Sequence, residues 1–411
     1  MSASAAETSQ SGFRLSQLIY DTRYRSTTIQ VVALFAFMLA VGWAVNNTIQ
    51  NLEALGKTFS FGFLSSTAGY DVNQRLLEYS SQSTHGRAAV LGILNTLILA
   101  LVGCVTATLL GVLAGVARLS KNWIIARLMT VYVEGFRNVP VLLWIIIVTA
   151  VVNESLPAPR DFRGAETGAF VLTNRGLYMP EALFSQGLGD IDLGYFKVSL
   201  DFLAIALVLG AGIYVSRWIG RTADHRQEET GERPKVLWFR LAAIFLPLIA
   251  ILVALGFHLG YPELKGFNFQ GGTYIRDSFV GLWVALSLYT GAFIAENVRA
   301  GIQAVSHGQT EAAYALGIRP GRTMRLVVLP QAMRVIVPPL ISQYLNLTKN
   351  TSLAIAVGYM DATGTLGGIT LNQTGREMEC LILLMGFYLA FSLLISFVMN
   401  VYNERVKLRE R

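Results

Sequence analysis

Residues Leu91–Ala117 read LGILNTLILALVGCVTATLLGVLAGVA, a run without one charged side chain. A helix needs about 20 mainly apolar residues to cross the hydrocarbon of a bilayer, and it satisfies its backbone hydrogen bonds internally. This run is long enough and reads as a transmembrane helix. The whole chain shares its character. Of 411 residues, 53% are hydrophobic and only 14% are charged, against roughly 25% charged in soluble domains. That is too little charge to solvate a globule of this size. A secreted domain, a nucleic-acid binder and an ordinary cytosolic enzyme are excluded. The net charge of +7 fits Lys and Arg retained at one membrane face better than it fits a polyanionic partner. Cys104 and Cys380 sit in apolar runs and offer neither a disulfide framework nor a metal cluster.

Working outward, eight apolar spans are predicted: 28–48, 90–117, 125–152, 200–219, 236–258, 278–302, 335–358 and 380–402. The fold class is therefore all-α, a polytopic membrane protein of about eight transmembrane helices. A Ser-rich segment with Arg14, Arg23 and Arg25 precedes the first span. A signal peptide is the rival reading there. Trp43-Ala-Val-Asn-Asn47 lacks a small-x-small cleavage site, so an uncleaved span is preferred. With a cytoplasmic N-terminus, the inner loops collect most of the basic residues, from Arg118, Lys121 and Arg127 to the tail Arg405–Arg411. An even number of spans returns that tail to the cytoplasm. The resulting layout is a cytoplasmic tail 1–27, a first span with its outer loop 28–87, membrane segments 88–153 and 275–403, an insertion 154–274 with two spans, and a cytoplasmic tail 404–411. The long outer loops 49–89 and 153–199 show few clear elements. Gly103, Ala107, Gly111 and Gly115 recur every four residues on one span. Such a stripe of small side chains is a contact face for another helix.

Ionisable residues inside spans are costly and face protein or a water-filled path. Glu134 and Arg137 stand three apart, as do Glu296 and Arg299, so each couple is expected to pair on one helix face. Lys349 has no partner in its own span. It lies with Asn346, Asn350, Thr351 and Ser352 in a Pro-interrupted segment that carries Pro338 and Pro339. Asn346, Lys349, Thr351 and Ser352 are the candidate lining of a translocation path.

Between two spans, residues 305–334 read VSHGQTEAAYALGIRPGRTMRLVVLPQAMR. The pattern predicts a short helix over Gln309–Leu316, with Glu311 in the dipole-favoured first turn and Gly317 as its stop. Pro320 prevents continuation. A second short helix is expected over Thr323–Leu329, ending against Pro330. Ala312, Ala313 and Ala315 leave the first helix thin on one side, suited to a groove on another protein.

Glu311-Ala312-Ala313, Gly317 and Leu329-Pro330 resemble the EAA loop of ABC importer permeases. Phe136-Arg137-Asn-Val-Pro140, Glu296-Asn-Val-Arg299, Gly308-Gln309 and Lys349-Asn-Thr351-Ser352-Leu are similar to the polar-amino-acid branch of that family (histidine, glutamine and general L-amino-acid permeases). The resemblance covers about half of the chain. It implies a five-helix type I ABC importer permease core formed by 88–153 and 275–403. The additional spans look like those of the longer permease subunit of a general L-amino-acid transporter. It further implies the bacterial inner (plasma) membrane as location and two ATP-binding cassette ATPase subunits as partners. A sister permease, a periplasmic amino-acid-binding protein and an L-amino-acid substrate are implied with them. Gly308, Gln309, Glu311, Ala312, Ala313, Gly317, Leu329 and Pro330 would couple the chain to the ATPase.

No P-loop is present: Gly56-Lys57-Thr58 lacks the first glycine of the motif. His85, His225, His258 and His307 have no metal-ligand spacing, and no Gly-x-Ser-x-Gly elbow occurs. No catalytic residue, metal or cofactor is assigned, and nucleic acid is not an expected partner. The alternative function is a self-contained secondary amino-acid transporter, which would need the intramembrane charges but not the hairpin.

Overall fold

The computed structural model describes residues 22–54, 56, 59–164, 168–192, 197–232 and 234–406. Arg14, Lys57, Thr58, Arg233 and the tail's Lys407, Arg409 and Arg411 lie outside the described residues. By contact the chain forms two units, Met1–Phe61 and Gly62–Arg411. In the first, helix α1 (Thr22–Ala54) exposes apolar side chains around its whole circumference, among them Phe35, Met38, Leu39 and Trp43. A helix that is apolar all round is suited to lipid. Its Thr28 and Thr48 hydroxyls donate to carbonyls one turn back, at Tyr24 and Ala44, so neither is left bare in hydrocarbon.

The second unit is built around one helix. It contains α2 (His85–Ala117), α3 (Trp123–Asn138), α4 (Val141–Ser155), α5 (Leu200–Thr230) and α6 (Leu237–Ala254). There follow α7 (Asp277–Gln303), α8 (His307–Ala315), α9 (Pro320–Thr323), α10 (Leu329–Asn350), α11 (Leu371–Thr374) and α12 (Glu377–Val406). The most apolar stretch of α7 is 72% buried, far above any other span, which makes α7 the axis on which α2, α4 and α10 pack. One cluster joins Leu99, Ile145, Leu282, Leu286 and Ala354, and another joins Ala107, Ile294, Ala332 and Leu347.

Eight helical segments among the described residues are long and apolar enough to cross a membrane. Two differ from expectation. The predicted span 125–152 is broken into α3 and α4 at Val139-Pro140. A proline disfavours the α conformation in the residue before it, and Val139 is extended at φ −112° and ψ 136°. The seventh span does not start at 335; helical structure runs from Pro320. A π turn, Met324–Val328, joins α9 to α10, with the Leu329 N–H bonded to the Met324 carbonyl. The expected separate helix Thr323–Leu329 therefore does not end against Pro330. The widened turn places Pro330 at the start of α10, where its missing N–H breaks no bond.

The small-residue stripe of α2 meets α7 and α10. A Cβ added at Gly111 would lie 2.6 Å from Ile294 Cβ, one at Gly115 2.6 Å from the Ala295 carbonyl, and one at Gly103 3.2 Å from Leu347. Helices attract by close packing in lipid. Gly111→Val should therefore lower the thermal stability of the detergent-solubilised chain by an amount typical of overpacking, about 1–3 kcal/mol. Gly386→Val on α12 is the control, since a Cβ there meets nothing within 4 Å. Equal melting temperatures for the two variants would contradict the contact.

The 154–274 segment, expected to show few clear elements at its start, is not featureless. Strands β1 (Val171–Thr173), β2 (Gly176–Met179) and β9 (Thr273–Arg276) form one antiparallel sheet, which ties both ends of the insertion together just before α7. Strands β3 (Glu181–Phe184) and β6 (Phe257–Gly260) pair where α5 and α6 enter. Two small hairpins complete the cap, β4 (Asp190–Asp192) with β5 (Lys197–Ser199) and β7 (Glu263–Lys265) with β8 (Asn268–Gln270). Gly266 at φ +71° starts the two-residue turn between β7 and β8, a conformation favoured by glycine. Strands of three or four residues carry too little alternation to be recognised from sequence. Below the cap α5 and α6 pack on each other, with Gly212 close to the Ala243 carbonyl.

Candidate functional site

The features named from sequence fall into three places. The first is the hairpin between α7 and α10. Helix α8 spans His307–Ala315, starting two residues earlier than expected. It stops where Gly317 turns left-handed at φ +73°, with the Ile318 N–H reaching the Ala313 carbonyl at 3.0 Å and the Gly317 N–H reaching Tyr314 at 2.9 Å. Ala313 is buried, and α8 packs against α9 and the π turn, so the small side chain serves the hairpin's own closure. Gly308, Gln309, Glu311, Ala312, Gly317, Leu329 and Pro330 are exposed. Gln331 Nε2 donates to Gln309 Oε1 at 3.5 Å and to the Val327 carbonyl at 3.0 Å, bracing the helix against α10. The free face also carries Tyr314 and Leu316, and Met324 and Leu326 stand exposed on the following turn. Leu316 is 80% exposed, which is unusual for a leucine that could have packed. The sequence gives these apolar side chains no period to stand out by, because the helix is too short to show a stripe.

The second place is a charge cluster at the same end of the bundle. Arg118, directly after α2, has a side chain only 10% exposed and bridges two other helices. Its guanidinium donates to Glu296 of α7 at 2.5 Å and lies 3.6 Å from Glu134 of α3. Arg299 binds the other side of Glu296 at 2.6 Å and donates to Gln303 at 2.6 Å. Glu296 and Arg299 thus pair one turn apart. Glu134 and Arg137 do not pair among the described residues: Arg137 lies 5.4 Å over the Phe293 ring. The reason is Arg118, which brings a nearly buried cation to the junction of three helices. Sequence assigned it to a loop, although its position one residue past the end of a small-residue stripe was a usable signal.

The third place is α10. Asn346 and Lys349 lie exposed one turn apart, on a face they share with Ser342. Thr351 is buried and donates to the Thr348 carbonyl, and Ser352 donates to the Lys349 carbonyl. Asn346 and Lys349 are therefore brought together, whereas Thr351 turns into the core.

A fourth polar group had no signal in the sequence. Asp361, between the last two spans, is fully buried. It accepts from the Gly364 N–H at 2.8 Å and from the Tyr388 hydroxyl at 3.3 Å. The neighbouring Asn95 donates to Met360 at 2.8 Å. Burial pushes the Asp361 carboxyl up to about 7 from its ordinary 3.8, against the hydrogen bonds that favour the anion. A raised value means that the folded chain holds this proton more tightly than the unfolded chain. Stability should fall as pH rises from about 3.8 to about 7. Melting temperatures across that window should show this slope, and Asp361→Asn should flatten it.

A buried axis helix thus carries an exposed short helix and an ion-pair knot at the same end of the bundle. The profile for binding-protein-dependent transport system inner membrane components matches residues 236–408. Across the full length of both chains the protein is 54% identical to the glutamate/glutamine/aspartate/asparagine transport system permease protein BztB of Rhodobacter capsulatus. The chain belongs to the amino-acid permease family of ABC transporters. It is also 43% identical to the general L-amino acid transport system permease protein AapQ of Rhizobium johnstonii, over 97% of this chain and 96% of that one. As a permease of this family the chain is a multi-pass transport subunit of the inner membrane and not an enzyme; the ATPase of such systems is a separate subunit.

Proposed function

We propose that this permease forms one half of the translocation path of an ATP-driven importer for polar L-amino acids. Both its termini lie in the cytoplasm, and a sister permease supplies the other half. A periplasmic binding protein delivers the substrate, and two ATP-binding cassette subunits drive the cycle. Residues 88–153 and 275–403 act as the five-helix core, with 154–274 as an insertion. The observation that carries the reading is α8: a short helix seated on α9 and the π turn at Ala313 and bonded to α10 through Gln331, which leaves Glu311, Ala312 and Leu316 exposed. A rigid element of that kind transmits a push, whereas a loose loop would absorb it. Substrates in the glutamate, glutamine, aspartate and asparagine class are carried over from the name of the relative in Rhodobacter capsulatus.

Lys349 and Asn346 are the side chains assigned to the path. A Lys on an open face of a span is costly in lipid and is accommodated beside water or a partner, and its ammonium suits a substrate carboxylate. Lys349→Met should reduce uptake at least tenfold in proteoliposomes while membrane insertion stays normal. Unchanged uptake would remove the assignment. The class of transporter is tested by co-purifying the tagged chain in mild detergent and measuring uptake. ATP-dependent uptake with an ATPase, a sister permease and a binding protein is the expected result. Uptake by the chain alone on an ion gradient would overturn it.

A further inference from the structure

Among the described residues, helices α5 and α6 form a hairpin that packs mainly on itself, with strands β3, β5 and β6 at one end, and most of its flanking side chains are exposed. Near the end where α5 leads towards α6, three arginines occupy neighbouring positions on the two helices. Arg217 and Arg221 stand one turn apart on α5 with Gly220 between them. Arg240, in the first turns of α6, lies across that glycine: a Cβ at Gly220 would sit 3.3 Å from Arg240 Cζ. Gly220 therefore makes the room in which the Arg240 guanidinium settles against α5, at the level of Arg217 and Arg221. Arg240 Nε is buried and has no hydrogen-bond partner. Among the described residues none of the three arginines has a carboxylate partner. Of the acids further along α5, Asp224 has an interaction of its own and Glu229 faces His225 at 3.4 Å. The first turn of α6 has no side-chain cap, so its open N–H groups add positive potential at the same spot. Trp218 and Trp238 flank the cluster at 61% and 77% exposure, in the amphipathic position that indoles take at a bilayer surface.

The buried Arg240 Nε costs free energy while it lacks a partner, and the like charges of Arg217 and Arg221 on the facing helix make an anion the fitting one. The anion must reach a surface that is apolar on one side and aqueous on the other. We infer that this end of the α5–α6 hairpin binds the phosphate headgroup of an anionic phospholipid, whose acyl chains lie along the exposed apolar flank of the hairpin. The occupant is a lipid and not a soluble phosphate because the cluster adjoins side chains such as Tyr214 and Phe239, which are open to hydrocarbon. The inference needs only that the hairpin spans a bilayer, and it stands apart from the transport reading.

The test uses the full chain in nanodiscs and reads tryptophan fluorescence. Brominated phosphatidylglycerol and brominated phosphatidylcholine are compared as quenchers at equal mole fraction, and Trp218→Phe/Trp238→Phe isolates the signal of the two indoles. Phosphatidylglycerol should quench these two preferentially. Arg240→Gln should cut that preference about fivefold, which corresponds to ~1 kcal/mol per basic side chain at an anionic surface. Arg217→Gln/Arg221→Gln/Arg240→Gln should abolish it. The comparison of the two lipids on the unaltered chain needs no variant, so a misfolded substitution does not blunt the result. Equal quenching by both lipids would overturn the inference. So would a preference erased by free inorganic phosphate, or protection of both indoles from either lipid, which would mean a protein partner on this face.

Discussion

Glu311→Arg combined with Leu316→Asp should abolish ATP-driven uptake, with a loss well beyond tenfold, while the protein still inserts and keeps its melting temperature. Both side chains project from α8 and neither is buried, so the bundle has no stake in them. An exposed substitution of that kind changes stability by about 0.5 kcal/mol or less. A buried apolar contact of the kind Leu316 would make with a docked ATPase, by contrast, is of the sort whose truncation costs about 1 kcal/mol or more in binding. The measurement pairs uptake in proteoliposomes with retention of the ATPase on a tagged permease. Retained ATPase with full uptake would show that force enters the chain elsewhere. Ala313→Leu is expected to act differently. Ala313 is buried between α8 and the π turn, so enlarging it pushes the helix off its seat, and uptake and stability should fall together.

Arg118→Met should destabilise the bundle by an amount on the order of 3 kcal/mol, because it leaves Glu296 with half its partners and Glu134 with none at a three-helix junction. Thermal unfolding in detergent reads the loss. Arg118→Met/Glu296→Met should recover part of it, since Glu296 is then no longer left short of a cation, although Arg299 loses its carboxylate partner. Failure of the double variant to recover would mean that Arg118 acts by packing its stem and not by its charge. The cluster also bears on mechanism. It joins α2, α3 and α7 at the end of the bundle from which the hairpin leaves, so under the proposed function a push on the hairpin would meet three helices tied by one guanidinium.

Several elements were legible before any coordinates. Leu91–Ala117 needed only its length and lack of charge to be read as a span. The break after Leu316 follows from Gly317 and its left-handed backbone, and that is local chemistry. Other elements were hidden for physical reasons. The pairing of β2 with β9 links residues almost a hundred positions apart, through strands too short to show a period. Glu134 and Arg137 had the spacing of an ion pair, yet a third residue from another helix took the acid. Thr351 and Lys349 are two residues apart in sequence and point to different environments, because a helix turns by 100° per residue. Asp361 looked like an ordinary loop aspartate until α2 and α12 closed over it.

The amino-acid sequence by itself determined that this chain lives in a membrane, that its segments cross it as helices, and where an interhelical hairpin is interrupted. Those features depend on hydropathy, on the backbone's need to satisfy its own hydrogen bonds where water is absent, and on the conformational limits of Gly and Pro. Only the tertiary structure decided which helix α2's glycines meet, which acid Arg118 holds, which faces of α8 and α10 stay open, and that a nearly neutral pocket encloses Asp361. Each of those depends on side chains brought together from distant parts of the chain, and proximity of that kind is set by packing, not by any neighbour in sequence.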